Sequence, residues 1–169
     1  LSSFLALNYA VVENRPNSTN ENPYNESLEE DKVLSELYTL TNINRGDRGI
    51  NTLNINNDLR TMAEYKANNM KNKNYISHTS PSGSSVEDRF KRFNAECAKK
   101  GENLAQTYYM QEVDVNYGGN SLYTSEKELA RGINKQFMAS QSHKNNILSE
   151  DYSEYGLGLS ITENGKVYV

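Results

Sequence analysis

The chain has no tryptophan, a single cysteine and only two histidines. With Cys97 alone, no internal disulfide can form, and a domain of 169 residues does not need one because its core is large enough. Cys97 is expected to be a small, partly buried filler rather than a reactive thiol. No apolar run reaches the length of a membrane span, since the stretch from Phe4 to Val12 is far too short. Charge of one sign is also missing: 18 Lys and Arg against 22 Asp and Glu leave a net charge of −4. Without a basic patch or an arginine-rich run, nucleic acid is not an expected partner. Three enzyme signatures are absent. There is no H-E-x-x-H and no G-x-S-x-G elbow, and Gly156-x-Gly158 lacks the third glycine and following helix of a dinucleotide loop.

What is present divides into two parts. Residues 1–27 hold an apolar patch (Phe4, Leu5, Leu7, Tyr9, Val11, Val12) and then a polar linker with two N-x-S/T sequons, at Asn17 and Asn25. The chain begins at Leu1 rather than Met, which points to a removed leader or lipid anchor and hence to export, with residues 1–27 as a tether. Residues 28–169 read as one globular domain.

Within that domain, Ser27 and Glu30 form a capping-box pattern ahead of Val33, Leu34, Leu37, Tyr38 and Thr41 at helical spacing. A second helix is expected from Asn57 or Asp58 to about Lys73, with Leu59, Met62, Ala63, Lys66, Ala67 and Met70 on one side. Ser84 and Glu87 are read as a capping box for a short helix that turns Val86, Phe90 and Phe93 inward. Glu102 to Met110 reads as a strand and residues 111–123 as a loop. Ser125-x-x-Glu128 caps a longer helix bearing Leu129, Ile133 and Phe137, followed by a helical turn with His143. A hairpin closes the chain, Gly156–Thr162 with Lys166–Val169, where Asn164-Gly165 favours a type I′ turn.

The candidate site residues stand out against this frame. His78 lies on the loop after the second helix, His143 follows the last long one, and Glu102 is a lone acid between apolar neighbours. Two imidazoles and a carboxylate suit a divalent metal such as zinc, with water completing the shell, or acid–base work. The competing reading is that each imidazole simply hydrogen-bonds in a polar cleft, and that Glu102 ties down the loop bearing His78 or His143. Ser80, Ser140 and Ser142 lie near the histidines in sequence, but serines near helix ends are more often caps than nucleophiles. Asp88-Arg89 reads as an exposed or cap-linked ion pair. Tyr108, Tyr109, Tyr117 and Tyr123, of 12 tyrosines in all, offer either strand packing or an amphipathic binding surface.

These motifs, in this order, resemble the CAP superfamily (the SCP-like extracellular or pathogenesis-related domain) in its bacterial form. The matching pieces are Asn42-x-x-Arg45, Leu53, Asp58-Leu59 with Ala63 and Met70, His78-Thr79-Ser80-Pro81, Asp88-Arg89, Gly101-Glu102-Asn103-Leu104-Ala105, Ser140-x-x-His143-Lys144-Asn145-Asn146-Ile147-Leu148, and Tyr155-Gly156-Leu157-Gly158. The resemblance implies an α+β fold, an α-β-α sandwich with a central, mainly antiparallel sheet. It also implies that His78, Glu102 and His143 converge in one open cleft. Ser140 falls where many members carry a second Glu, so any metal site would be poorer by one carboxylate, and the usual disulfides and a sterol-binding loop are absent. The function expected is a secreted or surface-displayed, monomeric binding module for a protein, glycan or lipid ligand, with a metal-assisted hydrolase on the same cleft, or a lipid carrier, as the alternatives.

Overall fold

In the computed structural model, residues 28–95, 97–115 and 119–169 are described. The expectations for residues 1–27, for Ser27 as a cap and for Tyr117 lie outside them. Helix α1 (Glu30–Gly46) buries Val33, Leu37 and Thr41 along one stripe, as their helical spacing requires. Helix α2 (Asn57–Lys73) is capped by Asn56, whose side chain accepts from the backbone N–H of Asp58 and Leu59. It ends at Asn74, which takes a left-handed φ of 48°. The short α3 (Val86–Arg92) opens on a capping box one residue later than the sequence suggests, Ser85 with Asp88. Helix α4 (Glu126–Ala139) is capped by Ser125 and buries Leu129, Ile133 and Phe137, and α5 (Gln141–Ile147) follows directly.

Strand β2 (Gln106–Tyr108) pairs antiparallel with β7 (Lys166–Tyr168), and β7 pairs antiparallel with β6 (Ser160–Ile161). Strands β1 (Asn54–Ile55) and β5 (Glu154–Tyr155) form a small parallel pair. The sheet is mixed, and helices flank it. Alternation along β7 defines the layers, because successive side chains point to opposite faces. Val167 joins the cluster built on α1 and α4, whereas Tyr168 joins Met70 of α2. Leu104 and Ala105 divide in the same way. This is the expected α-β-α sandwich.

Several local expectations differ. The strands expected over residues 102–110 and 156–162 shorten to β2 and β6, leaving Glu102 on the irregular segment ahead of β2. Residues 111–123 contain a hairpin, β3 (Glu112–Val115) with β4 (Gly119–Leu122), rather than a loop. The closing turn is not type I′, which would need positive φ at both central residues. Only Gly165 has one (φ 78°); its N–H donates to Thr162 O and Thr162 N–H donates to Lys166 O, a type I turn with a glycine bulge. Cys97 is exposed rather than partly buried.

Two sequence motifs prove to be mounting hardware. The amide of Asn42 bonds both Leu53 O and Leu53 N–H, at 3.1 and 2.8 Å, as a paired strand would. Arg45, fully buried, donates to the carbonyls of Asn51, Ile147, Ser149 and Tyr152, fixing the end of α5 to α1. At Gly156 and Gly158 a Cβ would stand 2.1 and 2.2 Å from backbone atoms of α2, so only glycine lets this segment lie against that helix.

Candidate functional site

The loop after α2 carries His78 and is held from two sides. Lys66 donates from Nζ to Ser77 O (2.5 Å) and to the Tyr75 hydroxyl (3.2 Å). Arg89, 2% exposed, donates from Nη2 to His78 O at 2.9 Å and to Glu102 Oε2 at 2.6 Å. The other carboxylate oxygen, Oε1, lies 2.7 Å from His78 Nδ1. Burial by itself would raise the Glu102 pKa, but the hydrogen bond from His78 and the adjacent Arg89 guanidinium outweigh it and hold the carboxyl below its usual range. Glu102 is therefore ionised near neutral pH and only accepts, so His78 Nδ1 carries the hydrogen and Nε2 the lone pair of the neutral ring.

His143 has a different setting. Its ring meets Phe137 edge-on at 5.3 Å, and its Nδ1 is buried without a hydrogen-bond partner. Burial lowers its pKa, and the nearby His78 lowers it further, so His143 stays neutral more readily than a solvated histidine. A buried unpaired N–H costs more than a buried lone pair, which favours the tautomer with hydrogen on Nε2. What ties His143 to the rest is its backbone: Asn103 donates to His143 O at 3.1 Å, and Asn146 donates to Asn103 Oδ1 at 2.8 Å.

The Gly101-Glu102-Asn103 motif thus joins the two histidines. Gly101 passes so close to Tyr152 that a Cβ would meet its hydroxyl at 2.8 Å. Glu102 reaches back to His78, and Asn103 reaches forward to the His143 helix. The sequence-derived trio is brought into one region, with Glu102 in the loop-tying role on the His78 side. Ser140 sits at the start of α5 with its hydroxyl 3.1 Å from that of Ser142, and Ser80 bonds Ser82 and the backbone N–H of Ser84. Ser80 thus braces a turn, whereas Ser140, at the N-cap position of α5, makes no side-chain cap bond.

Two residues were misread from the sequence. Asp88 and Arg89 are not an ion pair: Asp88 closes the capping box while Arg89 turns inward to Glu102. Arg89 shares the inward face of α3 with Phe90 and follows Val86 by three residues, a charged side chain on an apolar stripe, which was the available signal. Of the clustered tyrosines, Tyr108, Tyr109 and Tyr123 are buried in the core and take the packing role rather than forming a binding surface, while Tyr117 lies outside the described residues.

These residues meet the demands of a zinc-type centre only in part. His78 fits, because a ligating imidazole ordinarily gives its other N–H to a carboxylate. Glu102 fits as that support rather than as a ligand, both oxygens being engaged. His143 fits poorly, with no partner behind its Nδ1. Among the described residues, no group of three or more His, Cys, Asp or Glu side chains is placed to hold a metal ion.

Comparison with known proteins agrees with the fold. The family model described as CAP, cysteine-rich secretory protein family, matches residues 38–169. The uncharacterized protein YkwD of Bacillus subtilis is 30% identical over 154 residues, covering 91% of this chain and 50% of that protein. The uncharacterized membrane protein YlbC of the same species is 24% identical, over 73% of this chain and 30% of its own length. The chain thus spans half or less of these relatives. Among solved structures, an outer surface protein of Borrelia burgdorferi superposes with a TM-score of 0.59 at 15% identity, covering 83% of this chain and 91% of that one. An extracellular protein containing a SCP domain from Bacillus anthracis gives 0.53 at 21%, covering 82% of this chain and 39% of that one. Among the described residues no helix is long and apolar enough to cross a membrane. From its first histidine motif to its closing hairpin, this chain belongs to the CAP, or cysteine-rich secretory protein, family.

Proposed function

We propose that the chain acts outside the cytoplasm as a CAP-domain interaction module, with the cleft of His78, Glu102 and His143 as its recognition surface. The secretory family and the extracellular and outer-surface relatives support the location. The observation that carries the mode of action is the engagement of both Glu102 oxygens, one by His78 and one by Arg89. A carboxylate so committed is a support for His78 and neither a free metal ligand nor a general base. The cleft then offers a partner one oriented, half-exposed imidazole, His78, beside a neutral one, His143. A cell-surface protein, glycan or lipid headgroup with hydrogen-bonding groups suits that pair. A divalent ion would meet at most two imidazoles, which makes for weak binding.

The test is a zinc titration by calorimetry near pH 7.5, together with a panel of peptide and ester substrates, on wild type and on His78→Ala/His143→Ala. The proposal expects no micromolar zinc binding and no turnover. Micromolar zinc binding together with turnover, both lost in the double variant, would replace the interaction module with a metal-assisted hydrolase.

A further inference from the structure

Behind the cleft lies a pocket of about 190 Å³ between α2, the end of α3 and the segment leading into β2. Glu102 is part of its wall, but neither His78 nor His143 lines it. Most of the lining is apolar, from Leu59, Met62, Phe90, Leu104 and Phe137 among others. A dry cavity of about 150 Å³ with similar walls takes up benzene in another protein, so one ring or a short chain fits here. Pockets that bury drug-sized molecules are larger, roughly 300–1,000 Å³, and a sterol would not be accommodated.

The charges around it are unevenly matched. Lys66, Lys99 and Lys100 line the pocket, with Glu102 and Glu154 as its acids, in a chain whose net charge is −4. Lys99 pairs with Asp151 at 3.3 Å, and Glu154 is exposed. Lys66 is 3% exposed, and both of its hydrogen-bond partners, Ser77 O and the Tyr75 hydroxyl, are neutral. The acid that acts on it, Glu102, hydrogen-bonds Arg89 and His78 instead. Two buried cations therefore share one carboxylate, and Lys66 has a third N–H donor beyond the two already placed. Burial, and then Arg89, lower the Lys66 pKa to about 8, the response expected of an ammonium without a full counter-charge.

We propose that this pocket binds a small monocarboxylate with a compact apolar body, its carboxylate paired with the ammonium of Lys66 and its body among Leu59, Met62 and Phe90. The pocket is distinct from the recognition cleft, since neither histidine lines it, but Lys66 also holds the His78 loop through Ser77 O. Glu102, already neutralised from the cleft side, is the wall the two share.

The test uses hexanoate and benzoate, with hexanol and benzyl alcohol as uncharged counterparts. Binding is followed by calorimetry and by the Met62 methyl signal in NMR spectra at pH 7. Expected are saturable binding of the acids with a shift at Met62, and affinity for the alcohols weaker by roughly tenfold or more. Lys66→Met should remove that preference by weakening the acids to the level of the alcohols. Should that variant not fold, wild type still decides: acid affinity should fall as pH rises from 7 to 9.5, with Arg89, Glu102 and Tyr75 the other charged or titratable groups facing Lys66, while alcohol affinity stays flat. No binding of either acid, equal binding of acids and alcohols, or acid binding indifferent to Lys66→Met would overturn the proposal. So would acid affinity that does not change with pH.

Discussion

The two histidines occupy the same cleft under opposite rules. His78 is wired: its ring is held by Glu102, Glu102 by Arg89, and Arg89 also holds the backbone of His78 itself. His143 is merely placed. Its ring rests edge-on against Phe137, its Nδ1 has no partner, and its position comes from Arg45 and Asn103 acting on backbone carbonyls. One imidazole is thus oriented by charge, the other by packing. A symmetrical metal centre would want the same support behind both rings. The difference points instead to a surface with one strongly directed polar group and one soft one.

The comparison breaks most severely at the charged end. Arg89→Ala would leave Glu102 buried beside a histidine with its main counter-charge gone, and breaking a buried pair from one side costs about 3–5 kcal/mol. Urea unfolding should register that loss, and Arg89→Ala/Glu102→Leu should recover part of it, because the carboxylate is no longer stranded. On the other side, Arg45→Met would orphan carbonyls at the end of α5, at about 1–3 kcal/mol for each buried unsatisfied group. Its signature is loosening of α5, read as faster amide exchange around His143 with the His78 loop unchanged.

A smaller effect separates the halves by pH. His143 has a folded pKa below its unfolded value of 6.5, so the unfolded chain binds more protons just below that pH. Its contribution to stability is complete above 6.5 and is lost as pH falls from there toward the folded pKa. Glu102 is also depressed, and its contribution is lost only at lower pH, as the solution passes below the usual carboxylate range toward its folded pKa. Unfolding free energy measured between pH 7.5 and 5.5 should therefore slope downward in wild type, and His143→Phe should flatten it. Smallest of all is Ser140→Ala: with its hydroxyl meeting only Ser142, stability should change by no more than about 0.5 kcal/mol.

Much of this was legible beforehand, for identifiable reasons. Helices α1, α2 and α4 carry apolar residues at a single helical period, Asn56 and Ser125 mark the starts of α2 and α4, and Ser85 opens α3 within a residue of the expected position. The β3–β4 hairpin did leave a signal, the polar–apolar alternation of Glu112-Val113-Asp114-Val115 ahead of Gly118-Gly119, but the largely polar, glycine-bearing composition of residues 111–123 reads as a loop and hides it. Within the site, His78, Glu102 and His143 were recognisable by residue type and motif. Arg89 was not, because Asp88 beside it suggested a local pair. Neighbours on a helix face different directions, and the partner of Arg89 lies 13 residues on, at Glu102. Lys66 was hidden in the same way, as one polar member of an otherwise apolar face.

Because the chain has only two histidines, the contrast between them can be read directly from the ring nitrogens. A long-range ¹⁵N–¹H correlation spectrum at pH 7.5, assigned with His78→Ala and His143→Ala, reports which nitrogen of each neutral ring is protonated. The wired arrangement predicts hydrogen on Nδ1 for His78 and on Nε2 for His143. A His78 ring protonated on Nε2 instead would mean that Glu102 does not hold it, and the account of the cleft would fail.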